Sequence, residues 1–357
     1  GAQFDVVMSS AQQAAFETAL VEDFFSIEAS LSKVDVRSAT CLKPEDTKRI
    51  LGELEQDVGF VACNSQVIGL LREALVAQAR AALGRLPAAE RGASTLIDNL
   101  GRLLKKMGQR KEAKTVLKRA MQAKGEALGN RHPQTLVSVH NMGKLLAGMG
   151  QLEEARPLLE EAMHARKETL GDRHPDTLNS IYNMGWLLKV MGRLEEARPL
   201  LEEVLQARRE TLGDRHPETL TSINNMGLLL QDMGQLEEAR PLYKEALQGR
   251  KETLGDRHPD TLGSIGNMAD LLRATGALVE SEAALGNAVA VAREVFGSKH
   301  MVTLLIAAKA ARLQHAQSGG AVAGKELLAA TVARLAEVFG DNHQQTRKYQ
   351  KVLAEME

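Results

Sequence analysis

HPDTLNSIYNMGWLLKVMGRLEEARPLLEEVLQARRETLG, residues 174–213, divides at Gly192 into two halves, each with the periodicity of a helix. In the first half Ile181, Met184, Gly185 and Leu188 fall at i, i+3, i+4 and i+7, one stripe of a helix. In the second, Leu194, Ala197, Leu201, Val204 and Leu205 make another stripe. Pro175 suits a first helical turn, where its missing N–H costs nothing, and Asp176 complements the helix dipole. Gly213 reads as an αL stop after the second helix. The stretch is helix, tight turn, helix, joint.

The same unit recurs along the chain. His132, His174, His216, His258 and His300 stand 42 residues apart, and His343 follows after 43. The joint reads LGNRHPQTL at 128–136, LGDRHPDTL at 170–178 and 254–262, and LGDRHPETL at 212–220. A fixed period of this length defines stacked hairpins, none of which can bury its apolar face alone. The pattern places six repeats at 91–129, 132–171, 174–213, 216–255, 258–297 and 300–340, the first and last degenerate, with a capping helix at 343–357. Residues 1–90 carry five of the seven Phe and read as a helical N-terminal extension, with helices near 9–31, 44–57 and 64–84. Gly185 lies twelve positions before Ala197, and Gly101 with Ala113, Gly143 with Ala155 and Gly227 with Ala239 repeat that spacing. These pairs predict close approach of the two helices through facing small residues. Pro157, Pro199 and Pro241, a turn inside the second helix, predict one lost hydrogen bond and a slight bend near its start.

Composition agrees with an all-α chain. Of 357 residues, 44% are hydrophobic and only 3% aromatic, and helix-forming Ala, Leu, Glu, Arg and Lys dominate. Forty-five basic residues face 46 acidic ones, so no global attraction to a polyanion is expected. Cys41 and Cys63 have neither metal nor redox spacing, which removes a disulfide scaffold and favours a reducing, cytoplasmic setting. No apolar run approaches the roughly 18 residues needed to span a bilayer. Gly1 rather than Met at the start leaves a preceding targeting segment open.

The pattern of Met184, Gly185, Leu188, Gly192 and Ala197 resembles the tetratricopeptide repeat. The 42-residue length, the HPDTL opening and the N-M-G run are most similar to the kinesin light chain and nephrocystin type of that family. The resemblance covers about 70% of the chain, 91–340. It implies a right-handed α-solenoid of six helical hairpins, whose job is non-catalytic binding of a protein or an extended peptide on the concave face. In this family the Asn just before the stripe commonly bonds a peptide backbone. That position is held here by Asn99, Asn141, Asn183, Asn225 and Asn267.

Stacked hairpins curve so that the first helices line the inner face. The side of those helices opposite the buried stripe carries Arg102, Lys105, Lys106, Lys144 and Lys189 in the first three repeats, and Asp232 and Asp270 in the next two, with Arg273 as an exception. This asymmetry favours an acidic segment or a carboxylate terminus at the first half. Tyr182 and Trp186, spaced i, i+4 on the same face, are candidate contact residues. The peptide-groove set is therefore Asn99, Arg102, Lys105, Asn141, Lys144, Tyr182, Asn183, Trp186, Lys189, Asn225 and Asn267.

Other motifs point elsewhere than chemistry. Histidines a repeat apart stand too far from one another to share a metal, and His-Pro before a helix fits a cap. GGAVAGKE at 319–326 has most of a phosphate-binding loop, but Glu326 stands where Mg²⁺ needs Ser or Thr, and a helix precedes it. Gly324 falls at the small packing position of a second helix. The LEEARP runs place Glu153 near Arg156, Glu195 near Arg198 and Glu237 near Arg240 as surface pairs. No catalytic constellation, cofactor or metal site is expected, nor a nucleic-acid partner or membrane insertion, and the oligomeric state is open. Two other roles fit the same residues: a structural subunit using its convex face or ends, and the regulatory part of a larger enzyme.

Overall fold

A computed structural model of the protein describes residues 60–317, 322–341 and 343–356. The helices expected near 9–31 and 44–57 lie outside the described residues. The chain forms two compact units, residues 1–145 and 146–357. All regular structure among the described residues is helical.

The first unit contains α1 (Phe60–Arg85), the single turn α2 (Ala88–Arg91), the hairpin α3 (Thr95–Lys106) and α4 (Arg110–Leu128), and most of α5 (Pro133–Gly148). Helix α1 packs on α3, and α3 on α4. The second unit takes the last turn of α5 and continues with α6 (Leu152–Leu170), α7 (Pro175–Val190), α8 (Leu194–Leu212), α9 (Pro217–Asp232), α10 (Leu236–Leu254), α11 (Pro259–Ala274), α12 (Leu278–Phe296), α13 (Met301–Gln317), α14 (Val322–Phe339) and α15 (Gln344–Ala354). From α6 onward each helix packs on the next, and α9 with α11 and α11 with α13 also touch side by side.

The His-Pro joint is a helix cap. His174 is extended (φ −66°, ψ 137°), as a residue before proline must be, and its Nδ1 accepts from the Asp176 N–H at 3.1 Å. His132, His216, His258, His300 and His343 cap their helices the same way, at 3.2–3.3 Å. The imidazole thus does the work usually done by Ser or Asp, satisfying a donor that the helix leaves free.

The turn inside each hairpin depends on glycine. Gly192 has φ +79°, and behind it the Arg193 N–H reaches the Leu188 carbonyl at 2.9 Å while the Gly192 N–H reaches that of Lys189 at 3.0 Å. This is a Schellman closure. Gly213 differs from the αL stop that its position suggested. At φ 83° and ψ 164° it lies in the mirror-extended region that only glycine enters readily, so the chain leaves the helix extended and runs straight into the next cap.

The apolar stripes are the core: Ile181, Ala197 and Val204 are fully buried, and Met184, Leu188 and Leu201 nearly so. The facing-glycine expectation needs correction. A Cβ on Gly185 would meet Leu201 Cδ2 at 2.9 Å, one on Gly227 would meet Tyr243 Cε1 at 2.9 Å, and one on Gly101 would meet Leu117 Cδ2 at 2.6 Å. A larger side chain of the second helix, one turn beyond the alanine, covers each glycine. The glycine makes room for a leucine or tyrosine rather than for a neighbouring backbone. Helices α6, α8 and α10 run unbroken through Pro157, Pro199 and Pro241. These prolines sit one turn in, so only a carbonyl near the helix start loses its donor.

Charged residues then tie successive repeats together. Arg166, Arg208 and Arg250 of the second helices are buried, at 4–6% exposure. Each donates from Nη1 to a serine of the next hairpin: Ser180 at 2.9 Å, Ser222 at 2.9 Å and Ser264 at 2.8 Å. The same Nη1 reaches the carbonyls of Asp176, Glu218 and Asp260. Burial lowers the pKa of all three guanidiniums, opposed by the nearby carboxylate. Between second helices, Lys167 pairs with Glu203 and Arg209 with Glu245, both at 2.8 Å. Arg198 turns forward to Glu202 at 2.8 Å and Glu238 at 3.7 Å rather than back to Glu195, and Arg156 likewise lies by Glu160 at 4.0 Å.

Candidate partner-binding surface

In the first unit Arg102, Lys105 and Lys106 of α3 and Lys144 of α5 come together. Lys105 is half-buried and its Nζ donates to the Lys144 main-chain carbonyl at 3.4 Å. Burial, then the charges of Lys144, Arg110, Arg102 and Lys106, push the Lys105 ammonium down from 10.5 to about 8. Burial, then Arg102 and Lys106, lower that of Lys144, although Lys144 is open to water. Among the described residues, every charge that shifts these two ammonium groups is positive. Asn99 on α3 is 8% exposed and Asn141 on α5 is half-buried. Behind this surface lies an ion pair that the sequence pattern did not reveal: Lys124 Nζ meets Asp98 Oδ2, with the side chains 1% and 4% exposed.

In the second unit the asparagine column is linked into a polar chain. Asn183 donates to the Asn179 carbonyl. Arg208 donates to Asn179 Oδ1 at 2.7 Å and lies over the Tyr182 ring, 5.4 Å from its centroid. Asn225 donates to the Tyr182 hydroxyl, Asn224 to Asn225 Oδ1 at 3.4 Å, and Asn267 to Asn224 Oδ1 at 3.1 Å. Lys309 then donates to Asn267 Oδ1 at 2.8 Å. Burial raises the pKa of the Tyr182 phenol, with Arg208 and Arg250 opposing. Asn225 and Asn267 are thus joined through Asn224, and onward to Tyr182 of α7 and Lys309 of α13, links that spacing alone does not reveal.

Trp186 is half-buried, with the Lys189 ammonium 4.9 Å from its ring centroid. Lys189 also pairs with Asp232. The two residues stood on opposite sides of the charge asymmetry read from the sequence, and the stacking of α7 beside α9 joins them. Of the basic set, Arg102, Lys105 and Lys144 share the first unit, and Lys189 belongs to the second. Gly324 lies in the first turn of α14, where a Cβ would strike the His315 backbone nitrogen at 2.5 Å. It is a close-packing glycine, as its repeat position implied.

A run of such hairpins defines a helical-repeat protein, and the comparisons give the family. Tetratricopeptide repeat models match residues 93–168, 136–190, 187–252 and 222–278, and a further one matches 261–300. The chain belongs to the tetratricopeptide repeat family. Among curated proteins none matches it. Similar solved structures include a kinesin light chain-like protein of Podosopora anserina with nearly identical TPR-like repeats, at 29% identity over 56% of this chain and 94% of that one, TM-score 0.49. BtubC from P. vanneervenii is 19% identical over 64% of this chain and 91% of that one, TM-score 0.52. The quorum sensor NprR of B. thuringiensis is 13% identical over 96% and 97%, TM-score 0.56. Tetratricopeptide repeats are protein-interaction scaffolds, and that general role follows for this chain. No helix among the described residues is long and apolar enough to cross a membrane.

Proposed function

We propose that the protein is a non-catalytic adaptor that holds an acidic segment of a partner protein against the inner face of α3 and α5. The observation that carries this reading is the crowding of like charge there. Lys105 is depressed to about 8 by burial and by positive neighbours. A carboxylate placed among Lys105, Lys144 and Arg102 relieves that repulsion and regains charge-assisted hydrogen bonds lost to desolvation. Asn99 and Asn141 stand on the same helices, and an amide there can bond an extended backbone whatever its side chains.

In the second unit Asn183, Asn225 and Asn267 hold the same repeat position, and any backbone bound there would exchange with the polar bonds that Asn225 and Asn267 already make.

The test is affinity capture from the source cells with wild type, with Lys105→Glu/Lys144→Glu and with Asn183→Ala/Asn225→Ala. Loss of a partner with the first variant, and its return when the partner's acidic segment is made basic, supports the reading. Undiminished capture by the charge-reversed variant refutes it.

A further inference from the structure

The last helix of the second unit brings a second cationic centre together. Helix α15 packs on α13 and α14 through Tyr349, which is 1% exposed among Leu304, Ala308, Ala311 and Leu328. From there it reaches far back along the unit. The Arg347 guanidinium lies where a Cβ on Gly150 would meet its Nη1 at 2.5 Å, and Gly150 is the turn before α6. Lys348 sits in the combined field of Lys309, Asp270, Lys189 and Asp232, residues of α13, α11, α7 and α9. One helix thus brings its charge into the field of the first helices of four hairpins.

The charges at this place do not balance. Asp270 is the hub, 6% exposed, with Lys309 at 2.8 Å, Arg312 at 3.3 Å and Arg273 at 3.9 Å. Both its oxygens are taken, and Lys309, Arg312 and Lys348 lower its pKa against the opposing effect of burial. Lys189 and Asp232 neutralise each other. Lys348 is open to water and forms no ion pair among the described residues; its ammonium lies 5.8 Å from the Tyr349 ring. Arg273 Nε is buried without a hydrogen-bond partner. Four cations therefore surround one saturated carboxylate, with donors left on Arg273, Arg312 and Lys348.

We propose that the space between α11, α13 and α15 is a binding site for a small oxyanion, a phosphate or carboxylate group, held by Arg273, Arg312 and Lys348 beside Asp270. Guanidinium groups present paired N–H donors suited to such an anion, and Lys348 adds a point charge to the field at Asp270. Burial first, then the Lys309 charge, lowers the Lys348 ammonium from 10.5 to about 8, with Asp270 opposing, and an anion beside it would favour the charged form. An anion at this place links α15 to α11 and α13, so occupancy also holds the last helix against the rest of the unit. The site shares no residue with the cluster on α3 and α5, and the proposal stands apart from the partner-binding reading.

The experiment is calorimetric titration of the full chain with inorganic phosphate and, separately, with glutarate, in a low-chloride buffer at pH 7. A saturable site is expected for at least one probe, and which of them binds tells the phosphate source from the carboxylate source. Lys348→Gln and Arg312→Gln should each weaken it about tenfold or more, the worth of one charge-assisted hydrogen bond. Lys105→Gln/Lys144→Gln should leave it unchanged. Hydrogen exchange of the α15 amides should slow on saturation in the wild type and not in Lys348→Gln. Absence of saturable binding of either probe overturns the proposal. So does binding that survives Lys348→Gln and Arg312→Gln, or that disappears with the α3–α5 variant instead.

Discussion

Lys124→Met tests the energetics of the first unit most sharply. Lys124 and Asp98 form an ion pair through Oδ2 with side chains 1% and 4% exposed, and Asp98 Oδ1 is buried without a hydrogen-bond partner. Removing the ammonium leaves a carboxylate in a dry interior. Breaking a buried pair from one side costs about 3–5 kcal/mol. With a urea slope of about 2 kcal/mol/M, 3–5 kcal/mol is a midpoint lowered by roughly 1.5–2.5 M. Repeat stability is largely nearest-neighbour, so the loss should concentrate in α3 and α4. Hydrogen exchange there should accelerate far more than in α9 or α11. Asp98→Asn/Lys124→Met removes both charges, and most of the stability should return, because two apolar or neutral groups of similar size replace an ion pair that was itself costly to desolvate. A single variant that loses less than about 1 kcal/mol, or a double variant as unstable as the single one, would contradict the reasoning.

Gly324→Ala should destabilise by about 1–3 kcal/mol, because the new Cβ strikes the His315 backbone at 2.5 Å, whereas Gly185→Ala meets side chains alone, Leu201 Cδ2 at 2.9 Å and Cγ at 3.0 Å and Leu200 Cβ at 3.3 Å, and should cost less than Gly324→Ala in chemical denaturation. Arg208→Ala should cost about 2–4 kcal/mol, since it strips donors from Ser222, Asn179 and the Glu218 carbonyl together; a loss under 1 kcal/mol would make the arginine column ornamental. Lys105 and Lys348 fall from 10.5 to about 8 on folding, so between these values the unfolded chain holds protons that the folded chain has released. Stability therefore rises with pH across that window, and the thermal midpoint of wild type should gain on that of Lys105→Gln/Lys348→Gln between pH 8 and pH 10. For the same reason an acidic peptide bound at Lys105 should take up protons near pH 8 and bind less tightly above it, as calorimetry in two buffers of different ionisation enthalpy would show.

The period made most of the fold legible. His174 and its counterparts announced each helix start, Gly192 and Gly213 its turns, and the stripes through Ile181 and Leu201 the buried faces. All of these are local signals, acting within one or two helical turns. The cap itself was readable because proline after histidine leaves that residue extended, with a side-chain acceptor beside free donors. The latch of Arg166, Arg208 and Arg250 on Ser180, Ser222 and Ser264 went unread, although both columns repeat every 42 residues. A repeated Arg on a helix resembles a solvated face until the neighbouring hairpin is in place. The candidate groove divides the same way. Its residues were placed on one side of their helices from spacing, while their bonds to one another depend on contacts 42 or 43 positions away.

From residue order alone came the helical hairpin, its length, its caps and the repetition that makes stacking obligatory. Periodicity encodes which face of a helix is apolar, and an apolar face has to be covered. Stacking alone settled which charges meet: Lys189 with Asp232, Asp98 with Lys124, and Lys348 with the Asp270 centre. Electrostatic energy depends on separation and on the water excluded between groups, and neither is written in sequence distance.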